Sequence, residues 1–149
     1  MSTSYVIDTT ILMQGMLEET QTKRAQTLLY RATQPDDVRL HVPEFTLIEC
    51  ANVLWKQVRF HDETIENALR MLNDLRAFPL QTYPATGLLP RALEVAVQTQ
   101  LPVYDCVHVA LAENLRVALI TMDTRQADAA KTVGITLKSI LDFPEYTGD

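Results

Sequence analysis

Apolar positions along the chain follow two rhythms. Val117, Ala118, Leu119 and Ile120 form an apolar run with no alternation, the pattern of a strand covered by helices on both faces of a parallel sheet. "SYVI", "VRLHV" and the proline-bracketed "PLQTYP" read as further extended segments, and "ITLKS" as a last strand. Between them the apolar residues recur at helical spacing. "TTILMQGM" and "ETQTKRAQTLLYRA" are helical, with Pro35, Asp36 and Asp37 as the break that follows. "PEFTLIECANVLWKQVRF" predicts a helix opened at Pro43, with Leu47, Ile48, Ala51, Leu54, Trp55 and Val58 along one stripe. "DETIENALRMLNDLRAF" predicts another, opened by Asp62, with Ile65, Leu69, Leu72 and Leu75 inward. "GLLPRALEVAVQTQ" is helical from Pro90, and Pro102 stops the chain before the largely apolar helix "VYDCVHVALAENL". A final helix runs from Asp123 to Val133, with Gly134 as its C-cap.

Strands alternate with helices and no connection carries a hairpin signature. That pattern predicts an α/β fold, a three-layer α/β/α sandwich with a mainly parallel central sheet. In such sheets ligands bind outside the carboxyl ends of the strands. Asp8 and Asp123 sit at or just after that end of two separate strands, so they are expected on one edge.

Composition narrows this picture. At 149 residues the chain fits one domain, 1–149, and with 47% hydrophobic and 21% charged residues nothing points to disorder. No apolar run approaches the roughly 20 residues that span a bilayer, and the N-terminus lacks the pattern of a signal peptide, so no membrane partner is expected and a cytoplasmic location is. Cys50 and Cys106 form no CxxC pair and read as buried, inert thiols. Thirteen Lys and Arg against nineteen Asp and Glu give a formal charge of -6, opposite to the footprint of a broad nucleic-acid-gripping surface. Contacts to nucleic acid must therefore be local or shared with a partner chain.

Each acid has a structural and a functional reading. Asp8 precedes a helix, but Thr10 is as good a cap, which leaves the carboxylate free for other work. Asp105 lies near the start of its helix, where the dipole favours an anion. It also shares a stripe with Val109 and Ala112 on a helix too apolar for the surface, and a buried carboxylate needs a cation or several donors. Glu49 lies opposite the main apolar stripe, with Asn52, Val53 and Lys56, so periodicity does not separate a solvated Glu from a cleft residue. Glu44 competes with it. Asp123 reads equally well as the cap of the helix after it and as a ligand. Carboxylates with nearby hydroxyls suit a hard divalent cation. His41, His61 and His108 stand alone without a triad partner, and no Gly-rich phosphate loop exists among four glycines.

The order of these acids, in "VIDTTIL", "PEFTLIECANVLWK", "LPVYDCVHVALAENL" and "LITMDTRQADAAKTVGI", resembles that of PIN-domain ribonucleases, and among them the VapC-like toxins of toxin–antitoxin pairs. The four pieces span nearly the whole chain. Residue by residue, the resemblance places the family's acids on Asp8, Glu49, Asp105 and Asp123, and so selects Glu49 over Glu44. It implies a Mg²⁺-dependent endoribonuclease, with Mn²⁺ as a substitute, in which Asp8 and Asp105 are the foremost metal ligands and Glu49 and Asp123 complete the site. Thr10, Thr121 and Asn52 are implied as residues that orient the carboxylates. An RNA substrate, a small antitoxin whose tail enters the active-site groove and a homodimer are the implied partners. Lys56, Arg59 and Arg125 are the candidate RNA contacts.

Other readings lack residues. A haloacid-dehalogenase-type phosphatase wants Asp-x-Asp after its first strand, and here Thr10 replaces the second acid. A receiver domain wants adjacent acids there and a phospho-accepting Asp near mid-chain, where this chain reads as helix. A PIN scaffold that binds RNA or protein without cutting would have no use for four mutually repelling acids.

Overall fold

The computed structural model describes residues 2–148. In chain order the elements are β1 (Thr3–Ile7), α1 (Thr9–Met16), α2 (Thr22–Ala32), β2 (Val38–Pro43), α3 (Thr46–Phe60), α4 (Ile65–Ala77), β3 (Leu80–Tyr83), α5 (Leu89–Thr99), α6 (Val103–Leu115), β4 (Ala118–Ile120) and α7 (Thr124–Thr132). The strands form one sheet in the order β3-β2-β1-β4, and every pairing is parallel. Helical crossovers are the only way to connect such strands, which is why no hairpin signature exists.

Strand alternation sorts the helices into two layers. Ile7, Leu40, Val42 and Ile120 face a core shared with α1, α2, α3 and α4, whereas Val6 and Leu119 face α5, α6 and α7. Both faces of β1 and β4 are thus buried, as their unbroken apolar runs predict. Register places Ile7 beside Ile120. The next residues, Asp8 and Thr121, therefore leave adjacent strands at the same edge. No described helix is long and apolar enough to cross a membrane.

Several elements depart from their sequence expectation. "ITLKS" forms no strand: a single bridge, Leu119 to Leu137, joins it to β4. Ser139 then caps a short 3₁₀ turn, Ile140–Asp142, which draws the chain out of the sheet. Pro43 does not open α3 but closes β2, and the helix starts three residues later. Asp62 does not open α4; it takes a left-handed φ of 58° in the connection, and the Thr64 hydroxyl caps Asn67 N instead.

The apolar stripes are also rotated from expectation. In α3 the buried residues are Thr46, Cys50 and Leu54, while Ile48 and Trp55 are 72% and 55% exposed. In α4 they are Ala68, Met71 and Leu75, while Ile65 and Leu69 stand in solvent. The α3–α4 pair turns only part of its apolar surface to the sheet, and the remainder lines an open apolar groove between Trp55, Val58, Ile65, Leu69 and Leu72.

Candidate active site

Asp8 is the N-cap of α1, so Thr10 does not take that job. Its Oδ1 accepts from Ile11 N at 3.4 Å, and Thr10, inside the helix, turns its hydroxyl back to the same Oδ1 at 2.6 Å. Thr121, just past β4, donates to Oδ2 at 2.6 Å. The two threonines are themselves tied down: Thr10 Oγ1 accepts from Met122 N, and Thr121 Oγ1 accepts from Asp123 N. Hydroxyl groups thus serve as relays between the α1 N-terminus and the β4–α7 turn, and both fix the carboxylate of Asp8. With 5% of its surface exposed, Asp8 pays for desolvation, and its pKa is raised from 3.8 to about 6. The hydrogen bonds from Thr10, Thr121 and Ile11 oppose that rise, and the charge of Asp123 adds to it.

Glu49, half-buried on the first turn of α3, accepts from Thr9 Oγ1 at 2.9 Å. Burial holds its carboxyl above the ordinary value, against the Thr9 bond and with help from Asp105 and Asp8. Asp105, in the first turn of α6, is raised by burial and by Asp123, with Arg125 as the opposing charge. Asp123 caps α7, accepting from Arg125 N at 2.9 Å and Gln126 N at 3.2 Å. The fold therefore links the four acids pairwise beyond the carboxyl ends of β1 and β4: Asp8 feels Asp123, Glu49 feels Asp105 and Asp8, and Asp105 feels Asp123. Glu44 is exposed, and its amide bonds Tyr83 O at the end of β3.

Among the described residues no three His, Cys, Asp or Glu side chains converge tightly enough to cage a metal unaided. Mg²⁺ does not need a cage, since it is commonly held by one or two carboxylates, retained waters and a substrate phosphate. The donor set fits such an ion. All four donors are carboxylates, and three of them are pushed towards protonation by burial and by neighbouring acids, a strain that a cation relieves.

Other candidate residues are placed less centrally. Asn52 is exposed and, among the described residues, makes no hydrogen bond to Glu49; Thr9 holds that position instead. Lys56 and Arg59 are exposed farther along α3, Arg59 lying against the Phe60 ring. Only Arg125 of the three basic residues acts on an acid of the cluster.

Sequence reading misses Thr9, Thr46 and Gln126, and takes His108 as a histidine standing alone. Thr46 Oγ1 and His108 Nε2 meet at 3.3 Å, joining α3 to α6 one turn from Glu49 and Asp105, and burial pushes the imidazole down to about 4, so it is neutral. Gln126 is 1% exposed and donates from Nε2 to the main-chain oxygen of Asp105 at 2.9 Å. Its spacing from Ala129 and Ala130 is the one available signal that it faces inward. Cys50 and Cys106 are free and buried, and Cys50 is pushed up to about 12, an inert thiol.

This arrangement has relatives. The PIN domain family model matches residues 5–132. Ribonuclease VapC9 of Mycobacterium tuberculosis is 34% identical over 93 residues, 62% of this chain and 72% of that protein. The crystal structure of PAE2754 from Pyrobaculum aerophilum superposes with a TM-score of 0.69 at 21% identity, over 95% of this chain and 94% of that one. A chain of the toxin–antitoxin complex from Klebsiella pneumoniae shares the fold with a TM-score of 0.55 at 19% identity, over 82% and 88% of the two chains. The chain belongs to the PIN-domain family, among the relatives of the VapC ribonucleases.

Proposed function

We propose that this protein is a divalent-cation-dependent endoribonuclease and the toxin of a toxin–antitoxin pair. The observation that carries this reading is the buried carboxylate of Asp8, fixed by two threonine hydroxyls, with Asp123 and Glu49 coupled to its charge and Asp105 coupled to both of those acids. Such a cluster weakens the fold unless a cation offsets it. Asp8 and Asp105 would hold Mg²⁺ or Mn²⁺, with Glu49 and Asp123 completing the set. Bound there, such an ion would supply Lewis acidity at a phosphodiester and make water a stronger nucleophile at neutral pH.

The chain's own residues do the rest. Thr10 and Thr121 hold both oxygens of Asp8 in one orientation. Thr9 aims one Glu49 oxygen, leaving the other open to accept a proton or a water. Arg125, exposed and acting on Asp105, would meet a backbone phosphate, and the exposed Lys56 and Arg59 on α3 would add further contacts. A groove lined by Thr9, Thr10, Gln14, Val53, Gln57 and Met122 opens beside the acids and gives a strand of RNA or an antitoxin tail a path to them.

Partners follow from surfaces as well. The apolar groove between α3 and α4 suits the apolar face of an antitoxin helix. Leu89, Leu93 and Val97 form an exposed stripe on α5, which favours a homodimer, and a dimer would gather the few basic residues of an acidic chain around one groove. A cytoplasmic location accords with an RNA substrate.

The test is cleavage of end-labelled RNA by antitoxin-free protein in Mn²⁺, in EDTA, and as Asp8→Asn. Cutting is expected in Mn²⁺ alone. Cleavage that persists in EDTA or in the variant sinks the metal-nuclease reading, and a chain that binds RNA in Mn²⁺ without cutting it is the PIN scaffold instead.

A further inference from the structure

Gln126 is a costly residue for its position. It is 1% exposed on the inner face of α7, where Ala129 and Ala130 are its buried neighbours, and among the described residues its Oε1 has no hydrogen-bond partner. A buried amide with an orphaned acceptor lowers stability relative to an apolar side chain of the same length. Its one side-chain bond, Nε2 to Asp105 O at 2.9 Å, is made to a carbonyl that belongs to the first turn of α6. Carbonyls there are already acceptors in the helix's own i to i+4 ladder. The bond is not needed to satisfy the helix, and the residue that makes it does not improve the core.

What the bond does is geometric. Gln126 sits three residues after Asp123, and its main-chain N–H donates to Asp123 Oδ1 at 3.2 Å. Its side chain grips the main chain of Asp105. One residue is therefore bonded to both members of a pair of acids whose charges oppose each other, and which come from helices 21 residues apart along the chain at the point of contact. We infer that Gln126 is a positioning residue of the acid cluster: its buried amide ties the first turn of α6 to the first turn of α7 and so fixes where Asp105 and Asp123 stand relative to each other for a divalent cation. This rests on the metal-nuclease reading above. Gln126 touches neither substrate nor cation and acts only through the two acids.

The test is Gln126→Met, which keeps the length and volume and removes both polar atoms, with Gln126→Leu as a second apolar variant. The readouts are Mn²⁺ titration by calorimetry, thermal unfolding of the metal-free protein, and kcat and KM on one RNA. We expect the Mn²⁺ dissociation constant to rise roughly tenfold, the scale seen when a residue that orients a metal ligand is lost. The metal-free Tm is expected to stay level or rise, because the orphaned acceptor is gone. RNA KM should hold within about twofold while kcat falls by about the same tenfold factor. Unchanged Mn²⁺ affinity and kcat in both variants overturn the inference, and so do losses that track a fall in Tm, which would make Gln126 a packing residue. A wild-type chain that takes up no Mn²⁺ overturns the nuclease reading and this inference together; a wild type that binds Mn²⁺ beside variants that bind it equally overturns this inference alone.

Discussion

The hydroxyl of Thr121 donates to Oδ2 of Asp8 at 2.6 Å, joining the ends of two strands across 113 residues of chain. Thr121 Oγ1 in turn accepts from Asp123 N at 3.0 Å, so one hydroxyl serves the acid that follows β1 and the acid that opens α7. Thr121→Val keeps the shape and deletes the hydroxyl. Cleavage should fall tenfold to a hundredfold, in the range for loss of a residue that orients a metal ligand. Thr121→Ser should restore most of it, because Ser supplies the same donor and acceptor. A Val variant that cuts RNA at the wild-type rate would show that Asp8 needs no such support.

Asp8 contributes a pH dependence of its own to the stability of the metal-free protein. Its pKa rises on folding from 3.8 to about 6, chiefly through burial. A raised carboxyl pKa means that stability is fully present below pH 3.8 and is lost as the pH climbs through 6. The cost above that window is about 3 kcal/mol for a shift of this size. Asp8→Asn, which still caps α1, should therefore be more stable than the wild type at pH 8 by up to that amount and nearly equal to it at pH 4, in urea unfolding without divalent ions. It should also lose cleavage. If the variant gains nothing at pH 8, burial of this carboxylate is already offset by the threonines.

How much of this could be read beforehand differs from residue to residue. The strand ends at Asp8 and Asp123 were legible because unbroken apolar runs stop there, and parallel pairing then put them on one edge. Glu49 was not legible from spacing, since the exposed side of a helix and the wall of a cleft look alike in periodicity; the resemblance of its segment chose it over Glu44. The inner faces of α3 and α4 were misjudged for a related reason. Spacing marks an apolar stripe but not how much of it a neighbouring helix covers, and Trp55, Ile65 and Leu69 line a groove instead. Thr9 carries no local pattern, since its bond crosses 40 residues; the spacing of Gln126 from Ala129 and Ala130 marks an inward face but not its bond across 21 residues.

Asp123 combines two roles that separate variants can divide. Its Oδ1 caps α7 through Arg125 N and Gln126 N, and its charge acts on both Asp8 and Asp105. Asp123→Asn retains a good cap and removes the charge, so stability should stay within about 0.5 kcal/mol while cleavage drops. Asp123→Ala should lose both, with about 1 kcal/mol of stability gone. The informative variant is Asn: if it cuts RNA at the wild-type rate, Asp123 is a cap and nothing more.

Glu49 offers a test in the pH profile of cleavage. Burial and the charges of Asp105 and Asp8 raise its pKa, and the hydrogen bond from Thr9 is what opposes them. Thr9→Val removes that donor from across the α1–α3 contact, so the charged form of Glu49 is held less well. If cleavage needs that charged form, the acid limb of the pH–rate profile moves to higher pH. Thr9→Ser returns the hydroxyl and should return the limb, which loss of the threonine methyl through packing alone would not do. On the alkaline plateau of the profile activity should be affected little, because only the position of the acid limb depends on the Thr9 bond. A Thr9→Val profile that falls evenly at every pH would instead mean that Thr9 holds α1 against α3 and leaves the ionisation of Glu49 alone.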